Sequence, residues 1–322
     1  MRHIRRATEH WFLDSGMGDG KTVEDRIQQL CERLFFPDFT VRSPMFSKTG
    51  GRVKEAADIL VPFGDRLLIL QVKTKQEAKP ASEKSETDLD RIRDKVDDAV
   101  GQVKAAISAV RNQRFTKLTT ARGLEIPFDP TFPWKMLGLV VIDLLGEEQY
   151  AEEDRTAIYN GYTKNPGIPT HIFLRSTFEA MATELDTFPD LLEFLSVREA
   201  LLERGILVPT TDDLDLLAIF KMNPDLMARA AAGECNTLVI SAGSWNTYLQ
   251  LYSEDIKRRD QRNESSFLID EAISWLHRSI GHRIEAGASE EMNVEQGTVE
   301  AYLGAARAFA ALTRLERRAV GE

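Results

Sequence analysis

The stretch "KEAADILVPFGDRLLILQVKTK", residues 54–75, decides the fold of this 322-residue chain. Two apolar runs flank the pair Gly64-Asp65, and a Gly-X pair in that position predicts a β-hairpin with a tight two-residue turn. When the turn is centred on this pair, the numbers of facing residues add up to 129, so Asp58 faces Gln71. The hairpin therefore begins with a carboxylate and ends with an amide.

Side chains alternate between the two faces of a strand, and facing residues project to the same side. Asp58, Gln71 and Lys73 are therefore expected on one face, at the end away from the turn, with Glu55 pointing to the opposite face. Both faces are apolar near the turn, which indicates a sheet covered on both sides. Two interpretations remain open for the polar end. It is either a strand end that emerges into solvent or a site where an acid, an amide and an amine converge.

The composition excludes several classes of protein. With 43% hydrophobic and 29% charged residues, it is typical of a globular protein. The longest apolar run, residues 136–145, is about half the length that a membrane span needs. The N-terminus lacks the features of a secretory signal, and the two cysteines, Cys31 and Cys235, lie far apart in the sequence. We expect a cytoplasmic protein without a membrane partner.

The charge is distributed unevenly along the chain. The net charge of −10 argues against a protein whose whole surface grips nucleic acid. Residues 1–80 carry a balance of +3, however, and the remaining residues carry −13. The excess of basic residues lies in the segment that contains the hairpin, which is compatible with a local nucleic-acid site.

Hydrophobic periodicity outlines the rest of the chain. It predicts helices over 22–36 and about 90–111, strands over 136–145 and 170–176, and an exposed loop over 75–91. From Thr177 onward the period is helical, and it includes the segments 265–284 and 298–319. The prediction is an α/β protein with a mixed-sheet core over residues 1–176 and a mostly helical domain over 177–322.

These motifs resemble the PD-(D/E)XK nuclease superfamily, in the branch where glutamine replaces the second acid. "AAD" (56–58) occupies the position of the family's aspartate, and "QVK" (71–73) that of its (D/E)-x-K element. "GKTVE" (20–24) resembles the glutamate-bearing helix of that branch, and Gln102 occupies a position where members often carry Gln or Tyr. The resemblance covers roughly residues 16–150 and implies a restriction-endonuclease-like core.

The resemblance implies a role for each matched residue. Asp58 would be the main ligand of Mg²⁺ or Mn²⁺, joined by the Gln71 amide oxygen and the Val72 backbone carbonyl. Lys73 would be the catalytic lysine, and Glu24 would reach the site from the first helix. The implied activity is hydrolysis of phosphodiester bonds, with DNA favoured as the substrate and prokaryotic defence as the setting. A homo-oligomer or a partner protein would use the helical C-terminal half.

Other interpretations of the same residues remain open. Glu24 could simply stabilise a helix N-terminus, and Gln102 could be a solvated helix residue. "SGMGDGKT" (15–22) has Ser15 where a phosphate-binding loop needs its first glycine, which argues against a nucleotide site. The main rival to a nuclease is a catalytically inactive nuclease fold that serves as a scaffold or as a protein- or nucleic-acid-binding module.

Overall fold

The computed structural model describes most of the chain between residues 20 and 263 and a few scattered residues beyond. The gaps in that range are 36, 38, 48–52, 76–85, 116, 122, 124, 145–160, 165–166, 207–211 and 236. The predicted helical segments 265–284 and 298–319 lie largely outside the described residues. None of the described helices is long and apolar enough to cross a membrane.

The described elements form an α/β protein, as the sequence predicts. The first half contains α1 (Gly20–Phe35), β1 (Val41–Arg42), β2 (Met45–Ser47), β3 (Val53–Glu55), β4 (Ile59–Phe63), β5 (Arg66–Lys75), α2 (Glu86–Arg111), β6 (Lys117–Thr119), β7 (Glu125–Pro127) and β8 (Lys135–Leu144). The second half contains β9 (Tyr162–Lys164), β10 (Pro169–Leu174), α3 (Arg175–Leu185), α4 (Phe188–Glu203), α5 (Asp213–Met222), α6 (Pro224–Ala232) and α7 (Ser244–Leu251). Residues 253–263 are also helical. The helical elements dominate after β10, which confirms the predicted fold class.

A six-stranded mixed sheet forms the centre of the protein, in the order β1-β4-β5-β8-β10-β9. The pairs β5–β8 and β8–β10 are parallel, and the remaining pairs are antiparallel. Two small ribbons, β2–β3 and β6–β7, lie outside this sheet. Parallel strands need a crossover, and α2 lies in the crossover between β5 and β8.

Helices cover both faces of the sheet, which explains why β4 and β5 are apolar on both sides. On one face, α2 approaches β8 so closely that a Cβ on Gly138 would lie 2.8 Å from Val103 Cγ1. On the other face, the Phe188 ring of α4 packs edge-on against both Phe35 of α1 and Phe63 of β4. The two layers of helices exclude water from the central strands.

Some boundaries differ from the sequence-based expectation. Helix α2 begins at Glu86, inside the segment expected as an exposed loop, because a polar stretch can be a solvent-facing helical turn as readily as a loop. Strand β10 ends at Leu174 and α3 follows directly at Arg175, where the sequence predicted strand up to residue 176. The short ribbons and β9 have too few residues for a recognisable period. The division of the chain into two domains at residue 176 stays a prediction.

Candidate functional site

The register of the β4–β5 hairpin is the one that the sequence predicts. Ile59 pairs with Leu70, and Phe63 pairs with Arg66 across the turn. Asp58 lies immediately before β4, where the Ser43 backbone N–H donates a hydrogen bond of 2.9 Å to its carbonyl oxygen. This bond fixes the backbone at the end of the hairpin, next to the part of β5 that carries Gln71.

The backbone of β5 holds the Asp58 carboxylate. The Val72 N–H donates to Asp58 Oδ2 at 2.6 Å, which leaves Oδ1 free of that bond. The N–H and C=O of a strand residue point to the same side, so the Val72 carbonyl also points toward the edge where β4 has ended. The Asp58 carboxylate and the Val72 carbonyl are therefore expected at the same edge of the sheet, and their role as metal ligands stays a prediction.

Gln71 is almost fully buried, with 2% of its surface exposed, and its amide faces Asp58 and Gln102. In the structure the amide oxygen is turned toward these acceptors, and Nε2 lies 3.5 Å from the Ala56 carbonyl. A flip of the amide would let nitrogen donate to Asp58 Oδ2 and to Gln102 Oε1, each at 3.0 Å. The flipped form suits a metal-free site, because it places protons between the oxygens. The unflipped form brings oxygens together, which requires a bound cation or a proton on the Asp58 carboxyl group.

Lys73 follows Gln71 by two residues on β5 and projects to the same face. Its positive charge lowers the pKa of both Asp58 and Glu24, so it lies in the electrostatic field of both carboxylates. An amine in this position can stabilise negative charge near the carboxylate pair. The side chain is partly exposed, which leaves it accessible to a ligand.

Burial is the main cause of the raised pKa values of the Asp58 and Glu24 carboxyl groups. It raises the pKa of Asp58 to about 6, against the opposing effects of the Val72 hydrogen bond and of Lys73. The pKa of Glu24 is also raised, first by burial and then by the negative charge of Glu55. Raised pKa values of this kind occur at functional sites and also in structural ion-pair clusters, so the shift fits a functional site without identifying one.

The charge of Glu55 acts on the two carboxyl groups. It raises the pKa of both Asp58 and Glu24. Residues 56–58 are not part of a strand, so the two-residue alternation does not continue from β4 back to Glu55, and the direction of its side chain stays a prediction. The Ala56 N–H bonds instead to the Pro44 carbonyl at 2.9 Å, which ties the end of β3 to the chain before β2.

The cluster suits a hard cation that keeps much of its water. Within the part of the chain that the structure describes, no three His, Cys, Asp or Glu side chains come together to hold a metal. A cation at this position would therefore bind Asp58, the Gln71 amide oxygen and the Val72 carbonyl, with water completing its shell. Mg²⁺ accepts few protein ligands of this kind, and its octahedral shell places neighbouring oxygens about 3 Å apart.

Two sequence-based alternatives can now be placed. Gln102 lies beside Gln71 rather than pointing away from the sheet, so it joins the cluster. Residues 15–19 of the segment that partly matches a phosphate-binding loop lie outside the described residues.

A comparison of the chain with protein-family models, with curated proteins and with solved structures found no match.

Proposed function

We propose that this chain is a metal-dependent nuclease that hydrolyses phosphodiester bonds in DNA. The observation that carries the proposal is the position of Asp58, Gln71 and Lys73 at one end of the β4–β5 hairpin, with Asp58 fixed by the Val72 N–H at 2.6 Å. The resemblance of the motifs around these residues to the PD-(D/E)XK superfamily supports the same chemistry. Hydrolysis also explains why a carboxyl group is retained where burial opposes its charge.

Asp58, Gln71 and the Val72 carbonyl would hold Mg²⁺ or Mn²⁺, and Glu24 would support the shell from α1. Bound to phosphate and water, such an ion polarises the phosphoryl oxygen and increases the acidity of the water. The charge of Lys73 keeps both carboxylates ionised more readily than burial alone would allow. Asp58 and Glu24 would thus supply negative charge for the ion, and Lys73 one positive charge for the phosphate.

Lys73 would orient the attacking water and stabilise the phosphate during the reaction. The water oxygen forms a new bond to phosphorus while the bond from phosphorus to the leaving sugar oxygen breaks. The proton lost by the water passes to the surrounding solvent, and the leaving oxygen gains one. A rigid hairpin suits this role because small displacements of the reacting groups reduce the rate steeply.

The substrate and partners follow from the charge distribution and the resemblance. DNA would bind near the hairpin, where the first 80 residues carry the basic share of the charge. The net charge of −10 implies that further affinity comes from the helical half, from an oligomer or from a partner protein. A cytoplasmic role in prokaryotic defence fits the resemblance, and both described cysteines are free thiols.

A catalytically inactive module that binds nucleic acid or protein is the second candidate. It is favoured by the lack of a third acid ligand near Asp58 among the described residues. In that case the polar cluster would bind a phosphate group through Lys73 without cleaving it. The helical half would then carry the function through protein contacts.

A plasmid-cleavage assay with Mg²⁺, Mn²⁺ or EDTA separates the two candidates. Nuclease activity predicts cleavage that EDTA abolishes and that Lys73→Ala and Asp58→Ala each reduce by at least about a hundred-fold. Asp65→Asn, at the turn of the same hairpin, is the matched control and should cleave like the wild type. Cleavage that survives both substitutions would indicate a contaminant. DNA binding without cleavage under any condition would support the inactive module.

A further inference from the structure

Two arginine–carboxylate pairs join α1 to α3. Arg26 Nη2 donates to Glu179 Oε2 at 2.9 Å, and Arg26 Nε lies 2.8 Å from Glu179 Oε1. Arg33 donates from Nε and Nη2 to a single oxygen of Asp186, Oδ1, at 3.0 and 2.7 Å. Arg33 follows Arg26 by seven residues in α1, and Asp186, the residue after α3, follows Glu179 by seven, which is about two turns. The helices therefore run in the same direction, with both pairs along one line of contact. This repeat makes the two pairs comparable.

Further charged groups surround the first pair, and one of them, Asp143, is buried. Arg175, the first residue of α3, binds Asp143 Oδ1 at 3.0 Å and approaches Glu179 Oε1 at 3.8 Å. Asp143 is 2% exposed, and the positive charge of Arg26 acts on it as well as on Glu179. Charge pairs in such an enclosed position hold their geometry more firmly than exposed pairs.

This cluster lies at the same end of the sheet as the candidate site. Asp143 pairs with Thr74, the neighbour of Lys73. Side chains alternate along a strand, so Asp143 lies on the face of the sheet opposite to that of Lys73. Arg26 follows Glu24 by only two residues in the first turns of α1. The position of Glu24 at the sheet end thus depends on how the start of α1 is held by α3.

Two attachments of α1 lie next to Glu24 in the sequence, one at Asp25 and one at Arg26. The Asp25–Arg42 pair also ties α1 to β1, but both of its side chains are about 40% exposed. Exposed ion pairs contribute little to holding a helix in place. The Arg26 cluster is the stronger attachment near Glu24.

We propose that the Arg26–Glu179 pair, braced by Arg175 and Asp143, positions Glu24 for metal binding at the candidate site. Arg26 and Glu179 are positioning residues in this proposal, because they act through α1 and touch neither metal nor substrate. The proposal rests on the proposed nuclease function. It assigns the nearby Arg33–Asp186 pair a purely structural role, although that pair also joins an arginine of α1 to a carboxylate.

The test compares Arg26→Gln with Arg33→Gln, since each removes one arginine–carboxylate pair that joins α1 to α3 or to the residue after it. Mn²⁺ binding without DNA is followed by electron paramagnetic resonance, and DNA cleavage is measured over a range of Mg²⁺ concentrations. We expect Arg26→Gln to weaken Mn²⁺ binding and to reduce cleavage at saturating Mg²⁺ by about ten-fold or more. Arg33→Gln should change neither by more than about two-fold. Arg26→Lys keeps the charge without the fork and should fall between wild type and Arg26→Gln.

Each outcome separates this proposal from the proposed function. All proteins are assayed well below the unfolding midpoint of the least stable variant, and Arg26→Lys serves if Arg26→Gln does not fold. Wild type that cleaves, with equal effects of Arg26→Gln and Arg33→Gln, overturns the positioning role and leaves the nuclease function intact. Wild type that neither binds Mn²⁺ nor cleaves DNA overturns both.

Discussion

Replacing Asp58 by Asn should stabilise the metal-free protein at neutral and alkaline pH. Burial raises the pKa of Asp58 from its ordinary value of 3.8 to about 6, so the folded state holds a proton that the unfolded state releases. The folding free energy therefore becomes less favourable as the pH rises from about 4 through 6. Each pKa unit corresponds to about 1.4 kcal/mol, which gives a penalty of up to about 3 kcal/mol above pH 6.

An Asn side chain lacks this penalty and can still accept the Val72 N–H bond through its oxygen. Asp58 is partly exposed, so we expect a gain of about 1–3 kcal/mol at pH 8 and about half of that at pH 5. Urea unfolding in EDTA, monitored by circular dichroism at both pH values, measures the gain. Asp65→Asn is the matched control, because Asp65 is exposed at the hairpin turn and the Lys135 hydrogen bond lowers its pKa.

The reasoning fails if Asp58→Asn is less stable than the wild type at pH 8, or if the gain is equal at both pH values. Such a result would mean that the carboxylate is well solvated or better paired than its surroundings indicate. Adding Mg²⁺ at pH 8 supplies a second check. The ion should stabilise the wild type clearly more than Asp58→Asn, because the variant lacks the main charged ligand.

Three further predictions concern the rest of the fold. Gly138→Ala would bring a Cβ within 2.5 Å of Thr170 Oγ1, and we expect the free energy of unfolding in urea to fall by about 1–3 kcal/mol. The control variant Thr170→Ser alone should not cause this loss. Burial and the charge of Arg198 hold the pKa of His171 well below its ordinary value, so stability should fall by up to about 1.4 kcal/mol per pH unit below pH 6.5. His171→Gln should remove that slope, and an unchanged slope would assign it to other groups. Thr187→Ala removes the side-chain cap of α4 and should cost about 1–2 kcal/mol in thermal unfolding, whereas Thr187→Ser should cost much less.

The hairpin was predictable because its signals are local. The pair Gly64-Asp65 sets the turn, and the turn sets the register from Phe63 back to Ile59. The placement of Asp58 opposite Gln71 needed no information from distant parts of the chain. The roles of these residues in catalysis stay predictions.

Features that depend on tertiary contacts were not predictable in the same way. The chain leaves the strand conformation over residues 56–58, between β3 and β4, and no residue pattern indicates this. Asp143 was visible only as a polar interruption of an apolar run. Its partner Arg175 lies beyond β9 and β10, and only the parallel pairing of β8 with β10 brings the two together.

The parallel pairing of β5 with β8 has a consequence for synthesis of the protein on the ribosome. Residues 66–75 pair with residues 135–144, so the nascent hairpin emerges well before the strand that covers its inner edge. An apolar strand with an uncovered edge readily associates with other chains. Chaperone binding to ribosome-bound chains should accordingly be strongest for those that end shortly before residue 144.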